Sequence, residues 1–137
     1  MNASGRCGYM TIDATQGEVR KVLLLLKNMV YESTSPLETL RFAKYYRKKG
    51  LDVVVVLWGP MGVLLGKAGK RHGAPKYDEK MWECLNIGVE FKCCRLGSDI
   101  IGVEESELIP GVTIIEAHEV AELFLRYTQP GHMIISL

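Results

Sequence analysis

Val22-Leu23-Leu24-Leu25-Leu26 and Val53-Val54-Val55-Val56-Leu57 are the two stretches that decide the fold. Each is an uninterrupted apolar run of strand length, and the second is rich in β-branched residues, which favour strands. Strands without alternation of polar and apolar residues are typical of a parallel sheet that is covered on both faces. The two runs therefore predict neighbouring strands of such a sheet.

The segment between these runs has the signals of a helix. Ser35 suits the N-cap, Pro36 suits the first helical position and Glu38 completes a capping box. The predicted helix runs to Lys49 and ends at Gly50. A strand, a helix and a second strand in this order are the repeating unit of α/β folds.

The same alternation continues to the end of the chain. Predicted strands follow at residues 89–94, 112–115 and 133–137, with helical spacing at 61–68, 77–85 and 120–127 and an irregular or partly helical segment before residue 107. We predict a three-layer α/β/α fold, Rossmann-like or flavodoxin-like, with a mostly parallel five-stranded sheet. Residues 1–19, including Cys7, show no sustained period and are predicted to be a flexible tail or a short added strand, so the single domain spans residues 20–137.

The composition excludes several classes of protein. A formal net charge of +1 creates no broad field for nucleic acid or an anionic membrane, and no apolar run approaches a membrane span. The first residues lack the apolar core of a secretory signal, which predicts a cytoplasmic protein with reduced thiols. The four cysteines contain no Cys-x-x-Cys pair and the three histidines are scattered, so no metal site is predicted.

Ligands of parallel α/β folds gather beyond the carboxyl ends of the strands, where three loops qualify. The hydroxyls of Ser33 to Ser35 suit a phosphate, so a flavin or nucleotide site is one hypothesis, although the loop lacks glycine and capping explains the hydroxyls. The second loop, around Gly62 and Lys67, lacks the spacing of a phosphate-binding P-loop. Its basic residues, Lys67, Lys70, Arg71 and Lys76, are interpreted as a solvated face, with an anionic substrate or acidic partner as the alternative.

The third loop follows Cys93 and Cys94, which end the predicted third strand directly before Arg95. A neighbouring cation and a following helix both favour thiolate, the nucleophilic form of cysteine. Because side chains alternate along a strand, Cys93 shares its side with Val89 and Phe91 and is predicted to be buried with a raised pKa. Cys94, on the opposite side, is predicted to be exposed and ionised. Cys84 lies on an apolar helical face and is interpreted as a small hydrophobic residue.

A family resemblance adds to this interpretation. The run Gly88-Val89-Glu90-Phe91-Lys92-Cys93-Cys94, the later Gly102 and the turn Leu108-Ile109-Pro110-Gly111-Val112 resemble the DsrE/DsrF-like sulfur-relay family, over about residues 20–137. The resemblance implies that Cys94 occupies the sulfur-binding position, with Cys93 as a second thiol and Arg95 as electrostatic support. It also implies a homo-oligomer, trimer or hexamer, that works with sulfur donor and acceptor proteins and without direct contact to nucleic acid or membrane.

The sequence thus predicts an intracellular sulfur carrier, sulfurtransferase-like, that needs no cofactor and accepts sulfane sulfur on a cysteine. Two alternatives stay open at this point. The first is a non-catalytic assembly subunit of a sulfur-relay complex, with the same fold and an inert thiol. The second is a flavin- or nucleotide-binding protein that uses the loop at Ser33 to Ser35.

Overall fold

Five strands alternate with five helices in the computed structural model, which describes residues 18–70 and 76–137. The strands are β1 (Lys21–Leu26), β2 (Asp52–Leu57), β3 (Glu90–Cys94), β4 (Val112–Ile115) and β5 (His132–Ser136). The helices are α1 (Ser35–Lys48), α2 (Gly59–Val63), α3 (Tyr77–Asn86), α4 (Arg95–Ile101) and α5 (Ala117–Arg126), and short 3-10 turns cover Leu64–Gly66 and Glu105–Glu107.

The strands form a single sheet in the order β4-β3-β2-β1-β5, and every neighbouring pair is parallel. In the centre of the sheet, Leu24 of β1 lies opposite Val55 of β2 and Ile135 of β5. The α/β fold class predicted from the sequence is confirmed. All carboxyl ends of the strands therefore meet at one edge, where the helices that follow them begin.

Helices cover both faces of the sheet, as a three-layer fold requires. On one face, α1 and α3 pack against alternate residues of the central strands, such as Leu24, Val55 and Phe91, which are fully or almost fully buried. On the other face, α5 packs Val120 and its neighbours against a second set of strand residues, Leu23, Val54 and Val56. Burying each such aliphatic side chain contributes about 1.5–3 kcal/mol to folding. Both faces of β1 and β2 are buried, which explains their continuously apolar sequence.

The start of α1 differs from the prediction. The helix begins at Ser35, the N-cap position is Thr34, and no side chain caps it. Instead the Ser35 amide donates a hydrogen bond of 3.0 Å to the Ser33 hydroxyl, and Glu38 pairs with Arg41 at 3.2 Å. The predicted capping box is therefore wrong. The hydroxyl of Ser33 instead accepts a hydrogen bond from the Ser35 amide in a local turn. The predicted end at Gly50, which has φ of 93°, is confirmed.

The segment after β2 is also shorter than its apolar spacing predicts. Helix α2 ends at Val63 and a 3-10 turn follows, with Val63 and Leu65 buried and Met61 39% exposed. A Cβ atom at Gly62 would lie 2.4 Å from the carbonyl oxygen of Leu26, so only glycine lets α2 approach β1 this closely. This close contact fixes α2 at the carboxyl ends of β1 and β2.

Several predictions fall beyond the described residues. They concern the tail at residues 1–17, with Cys7, and the basic residue Arg71. Within residues 18–70 and 76–137, none of the helices has the length and apolar character needed to cross a membrane.

Candidate functional site

Cys94 is the last residue of β3, and α4 begins at the next residue. Its backbone angles, φ −74° and ψ 138°, are those of a strand, so the chain passes from strand to helix without a connecting loop. The segment predicted to be irregular or partly helical thus begins with a helix, Arg95–Ile101. Cys94 therefore lies at the carboxyl edge of the sheet, where α/β folds bind their ligands.

Two contacts hold Cys94 in place. Its sulfur accepts a hydrogen bond from the backbone N–H of Gly59, with 3.1 Å between nitrogen and sulfur. Its carbonyl oxygen accepts a hydrogen bond of 3.0 Å from the hydroxyl of Ser98, which is fully buried in α4. The sulfur thus receives a backbone donor from the turn after β2, and such a donor favours negative charge on its acceptor.

Gly97 makes this arrangement possible. A Cβ atom at residue 97 would lie 2.6 Å from the carbonyl carbon of Gly59 and 2.9 Å from the sulfur of Cys94. Side-chain atoms do not approach other atoms so closely, so α4 can pack against the Gly59 turn only with glycine at this position. Sequence analysis missed both glycines, because their contact joins segments that are far apart in the chain.

The expected exposure of Cys94 is wrong, since the residue is only 6% exposed. The two cysteines belong to the same buried cluster, but their sulfurs have different neighbours, since that of Cys93 lies near Gly66 and that of Cys94 lies near Gly97 and the Gly59 amide. The cover comes from α2 and α4, which pack on each other beyond the end of the strand. The thiol is therefore held beneath two short helices instead of standing free in the loop.

The prediction for Cys93 is confirmed. Its side chain is fully buried, and its sulfur lies close to Gly66, Leu57 and Val112, judged by the contacts that a Cβ at Gly66 would make. Burial raises the pKa of the Cys93 thiol to about 12. Cys84 is also confirmed as a small core residue, since it is 1% exposed and burial raises its pKa to about 11. Both thiols stay protonated at neutral pH.

Arg95 is the first residue of α4 and directs its guanidinium toward the end of β4. Its Nε lies 3.1 Å from the Glu116 carboxylate, and both side chains are about half exposed, at 45% and 47%. An exposed pair of this kind contributes about 0–1 kcal/mol to stability. The charge of Arg95 is thus shared with a carboxylate, and its support for a sulfur anion stays a prediction.

The other two loops are explained by local structure. In the first loop, the Ser33 hydroxyl accepts a hydrogen bond from the Ser35 amide. The Asn28 side chain donates a hydrogen bond of 3.3 Å to the Ser35 hydroxyl. In the second, the Lys70 ammonium pairs with Asp78 at 2.6 Å and also donates to the backbone carbonyls of Leu65 and Lys67. With 8% of its side chain exposed and a pKa lowered mainly by burial, Lys70 is not part of the predicted solvated face. The polar groups named in these two loops are thus engaged in contacts within the protein.

The segments that flank the thiol carry exposed apolar side chains. Trp58 and Met61 follow β2, Leu96 and Ile100 lie on α4, and these four side chains are 38%, 39%, 69% and 63% exposed. We call this group the apolar rim. Leu96 and Ile100 are four residues apart and therefore share one side of α4. Among the described residues, no group of three histidine, cysteine, aspartate or glutamate side chains is arranged to hold a metal ion.

Comparison with known proteins gives a consistent result. The model of the DsrE/DsrF-like family matches residues 20–129. The uncharacterized protein MK0008 of Methanopyrus kandleri is 29% identical over 99 residues, which are 72% of this chain and 81% of that protein. The crystal structure of the ychN protein from E. coli superposes with a TM-score of 0.75 at 22% identity, covering 87% of this chain and 100% of that one. The structure of MTH1491 from Methanobacterium thermoautotrophicum, a protein of unknown function, gives 0.66 at 18% identity, covering 85% and 98%. At these identities the structural likeness concerns the fold.

Proposed function

The chain belongs to the DsrE/DsrF-like family, and from this premise we propose that it is a cytoplasmic sulfur carrier. In this proposal Cys94 accepts a sulfane sulfur atom from a donor and passes it to a partner. The observation that carries the proposal is the hydrogen bond from the Gly59 N–H to the Cys94 sulfur, at the carboxyl end of a parallel strand. A backbone donor aimed at a sulfur atom stabilises the anion that both uptake and release require.

The chemistry is a pair of nucleophilic displacements. In uptake, the Cys94 thiolate attacks the outer sulfur of a donor persulfide, R–S–SH. The new S–S bond forms as the old one breaks, which gives Cys94–S–SH and the donor thiolate R–S⁻. In release, an acceptor thiolate attacks the outer sulfur of Cys94–S–SH, and the Cys94 thiolate is the leaving group. No net oxidation occurs in either step, and no resident cofactor takes part.

The contrast between the two adjacent thiols supports Cys94 as the acceptor. Cys93 has a pKa of about 12 because it is buried, so its nucleophilic form is scarce at neutral pH. Its side chain is also fully buried, whereas Cys94 is 6% exposed, so a sulfur atom added to Cys93 would have to displace core side chains. Cys94 ends the strand and receives a backbone donor at its sulfur. We therefore assign no transfer step to Cys93.

Donor and acceptor are proposed to be proteins. The apolar rim offers large side chains that a partner protein would cover, whereas free anions are attracted by unpaired cations. Arg95, the cation next to the thiol in sequence, is already paired with Glu116. In the complex, release of Arg95 from Glu116 would let it support the sulfur anion, and this is the role we propose for it.

A second candidate function is that of an assembly subunit whose thiol does no chemistry. The observation that favours it is the low exposure of Cys94, 6%, beneath α2 and α4. The two functions differ in one measurable property, since a carrier must release the sulfur that it has taken up.

The test follows labelled sulfur through the protein. The wild type is loaded with ³⁴S polysulfide, freed of excess reagent and mixed with glutathione as the acceptor thiol. The carrier function predicts labelled glutathione persulfide, trapped by alkylation and detected by mass spectrometry, in yields that match the loss from the protein. Cys93→Ser and Cys84→Ser should behave like the wild type, and Cys94→Ser should give none. A protein that never takes up the label, or that retains it, would favour the assembly subunit.

A further inference from the structure

A cavity of about 530 Å³ lies at the amino ends of β1, β2 and β3. The first residue of each of these strands lines it, and so do Leu123 and Arg126 of α5. Cys94 is the last residue of β3, so the cavity is at the opposite end of the sheet from the thiol. Its volume is in the range of pockets that bind small organic molecules. What it can bind depends on the chemistry of its lining.

The charged side chains of the lining do not cancel. They are the cations Lys21, Arg47, Lys92 and Arg126 and the carboxylates Asp52 and Glu90. Asp52 pairs with Arg47 at 3.5 Å. Glu90 pairs with Lys92 at 3.7 Å. Four cations and two carboxylates give the lining a formal net charge of +2, which attracts an anion.

Two of the cations are available to a ligand. Lys21 and Arg126 are exposed, and neither forms an ion pair with a carboxylate of residues 18–70 and 76–137. A guanidinium binds an oxyanion such as phosphate through two parallel N–H···O bonds. The pair of unengaged cations therefore matches a ligand with two negative charges, and Arg126 favours an oxyanion.

Tyr127 follows Arg126 and adds a hydrogen-bond donor to the lining. It is 9% exposed, and its ring packs edge-on against His132 with 4.8 Å between the centroids. In the part of the chain that the structure describes, its hydroxyl forms no hydrogen bond. Burial and the nearby Glu90 raise the pKa of this hydroxyl, whereas Arg126 lowers it, so the hydroxyl lies near both charges and stays protonated at neutral pH. A nearly buried donor that lines a cavity without a protein partner indicates a ligand that accepts its hydrogen bond.

One part of the lining is apolar. Val54 and Leu123 belong to the cluster of apolar residues that α5 buries against the sheet, and both also line the cavity. A bare phosphate ion would contact the charged side chains and leave most of the volume unfilled. An organic group attached to the phosphate would cover these two apolar side chains and gain affinity from their burial.

We propose that this cavity binds a small phosphate monoester, which carries nearly two negative charges at neutral pH. Arg126 and Tyr127 hold the phosphate, and Lys21 supplies the second positive charge. The organic group packs on Val54 and Leu123. Because the cavity is separate from Cys94, this inference is independent of the sulfur-carrier function.

The test is a titration of the full chain, followed through its amide resonances by NMR at constant ionic strength. The probes are phenyl phosphate, inorganic phosphate and phenyl sulfate, which has the same shape as phenyl phosphate but one negative charge. Phenyl phosphate should shift the amides of Gly88 and Tyr127, which line the cavity. Its affinity should be about ten-fold higher than that of inorganic phosphate, because the ring buries apolar surface. Phenyl sulfate should bind more weakly than phenyl phosphate.

Three variants locate the binding. Arg126→Gln should weaken phenyl phosphate about ten-fold, as expected for the loss of a charge-assisted hydrogen bond. The matched control Lys27→Gln removes the same charge at the other end of β1, about 20 Å from Lys21, and should keep the affinity within about two-fold. Tyr127→Phe should weaken binding about five-fold. This variant should fold with wild-type stability in urea titrations, because the hydroxyl has no hydrogen-bond partner among the described residues.

Three results would overturn the proposal. The first is the absence of phosphate-dependent shifts in the wild type, which is also what occupation of the cavity by residues 1–17 would give. The second is equal affinity for phenyl phosphate and inorganic phosphate, or for phenyl phosphate and phenyl sulfate. The third is unchanged affinity in folded Tyr127→Phe together with equal effects of Arg126→Gln and Lys27→Gln.

Discussion

Replacement of Gly97 by alanine is expected to disturb the candidate site directly. The new Cβ atom would lie 2.6 Å from the carbonyl carbon of Gly59, 2.8 Å from its oxygen and 2.9 Å from the Cys94 sulfur. Non-bonded carbon atoms normally stand about 3.5–4.0 Å apart, so α4 and the Gly59 turn must separate by roughly 1 Å. The hydrogen bond of 3.1 Å between the Gly59 amide and the sulfur would then be lost.

The expected loss of stability follows from these contacts. Overpacking of this kind costs about 1–3 kcal/mol, and loss of the hydrogen bond adds about 1 kcal/mol. Alanine in a helix recovers about 0.5–1 kcal/mol relative to glycine. We therefore expect the free energy of unfolding of Gly97→Ala to fall by about 2 kcal/mol in urea titrations. Hydrogen exchange of the Gly59 amide should become at least ten-fold faster.

Gly66→Ala is the matched control for this experiment. A Cβ atom at residue 66 would lie 3.0–3.2 Å from side-chain atoms of Leu57, Cys93 and Val112, which have more freedom to adjust than a backbone. This variant should lose about 1 kcal/mol and leave the Gly59 amide unchanged. Stability of Gly97→Ala within about 0.5 kcal/mol of the wild type, or an unchanged Gly59 amide, would refute the reasoning.

Two further predictions concern buried ionisable groups. Asp78→Ala leaves the buried Lys70 ammonium without its carboxylate and should lower the free energy of unfolding by about 3 kcal/mol. The control Glu79→Ala removes the exposed pair of 3.9 Å with Lys76. This control should change the free energy of unfolding by less than about 0.5 kcal/mol. Equal effects of the two variants would contradict the structural role of Lys70. The raised pKa values of Cys84 and Cys93, about 11 and about 12 against an ordinary 9.0, mean that the unfolded chain loses these protons first as the pH rises. The two thiols should contribute fully to the free energy of unfolding well below pH 9. Urea titrations at increasing pH should show this free energy falling by roughly 2 kcal/mol per thiol by about pH 10.5. In the Cys84→Ala/Cys93→Ala variant most of this slope should disappear, and an equal slope would show that other groups cause it.

The strands were predictable because their apolar runs are continuous and because glycines end the helices between them. The burial of Cys93 was predictable from alternation alone, since Val89 and Phe91 lie on the same side of the strand. The capping of α1 was not predicted correctly. Three consecutive residues carry hydroxyl groups that could accept a hydrogen bond at the start of the helix, and in the structure the Ser33 hydroxyl accepts it from the Ser35 amide. The local sequence pattern predicted the structure correctly where only one local interaction was available to the residues concerned.

For the candidate site, the sequence predicted the position of Cys94 but not the contacts around its sulfur. The position of Cys94 at the end of a strand is a local property, and the sequence indicates it. Its cover and its hydrogen bond depend on the approach of Gly97 to Gly59, two residues on separate connections of the sheet. No periodicity or spacing encodes such a contact. Arg95 similarly meets Glu116 only because β3 and β4 are neighbours.

The central claim is that Cys94, and not the adjacent Cys93, receives sulfur. Its most direct test is peptide mass spectrometry of the folded protein after brief exposure to polysulfide at neutral pH and trapping of the products by alkylation. In the wild type and in Cys93→Ser, the added sulfur should be found on Cys94, and Cys94→Ser should carry none on Cys93. Sulfur on Cys93 in Cys94→Ser at the wild-type level, together with its loss in Cys93→Ser, would contradict the account.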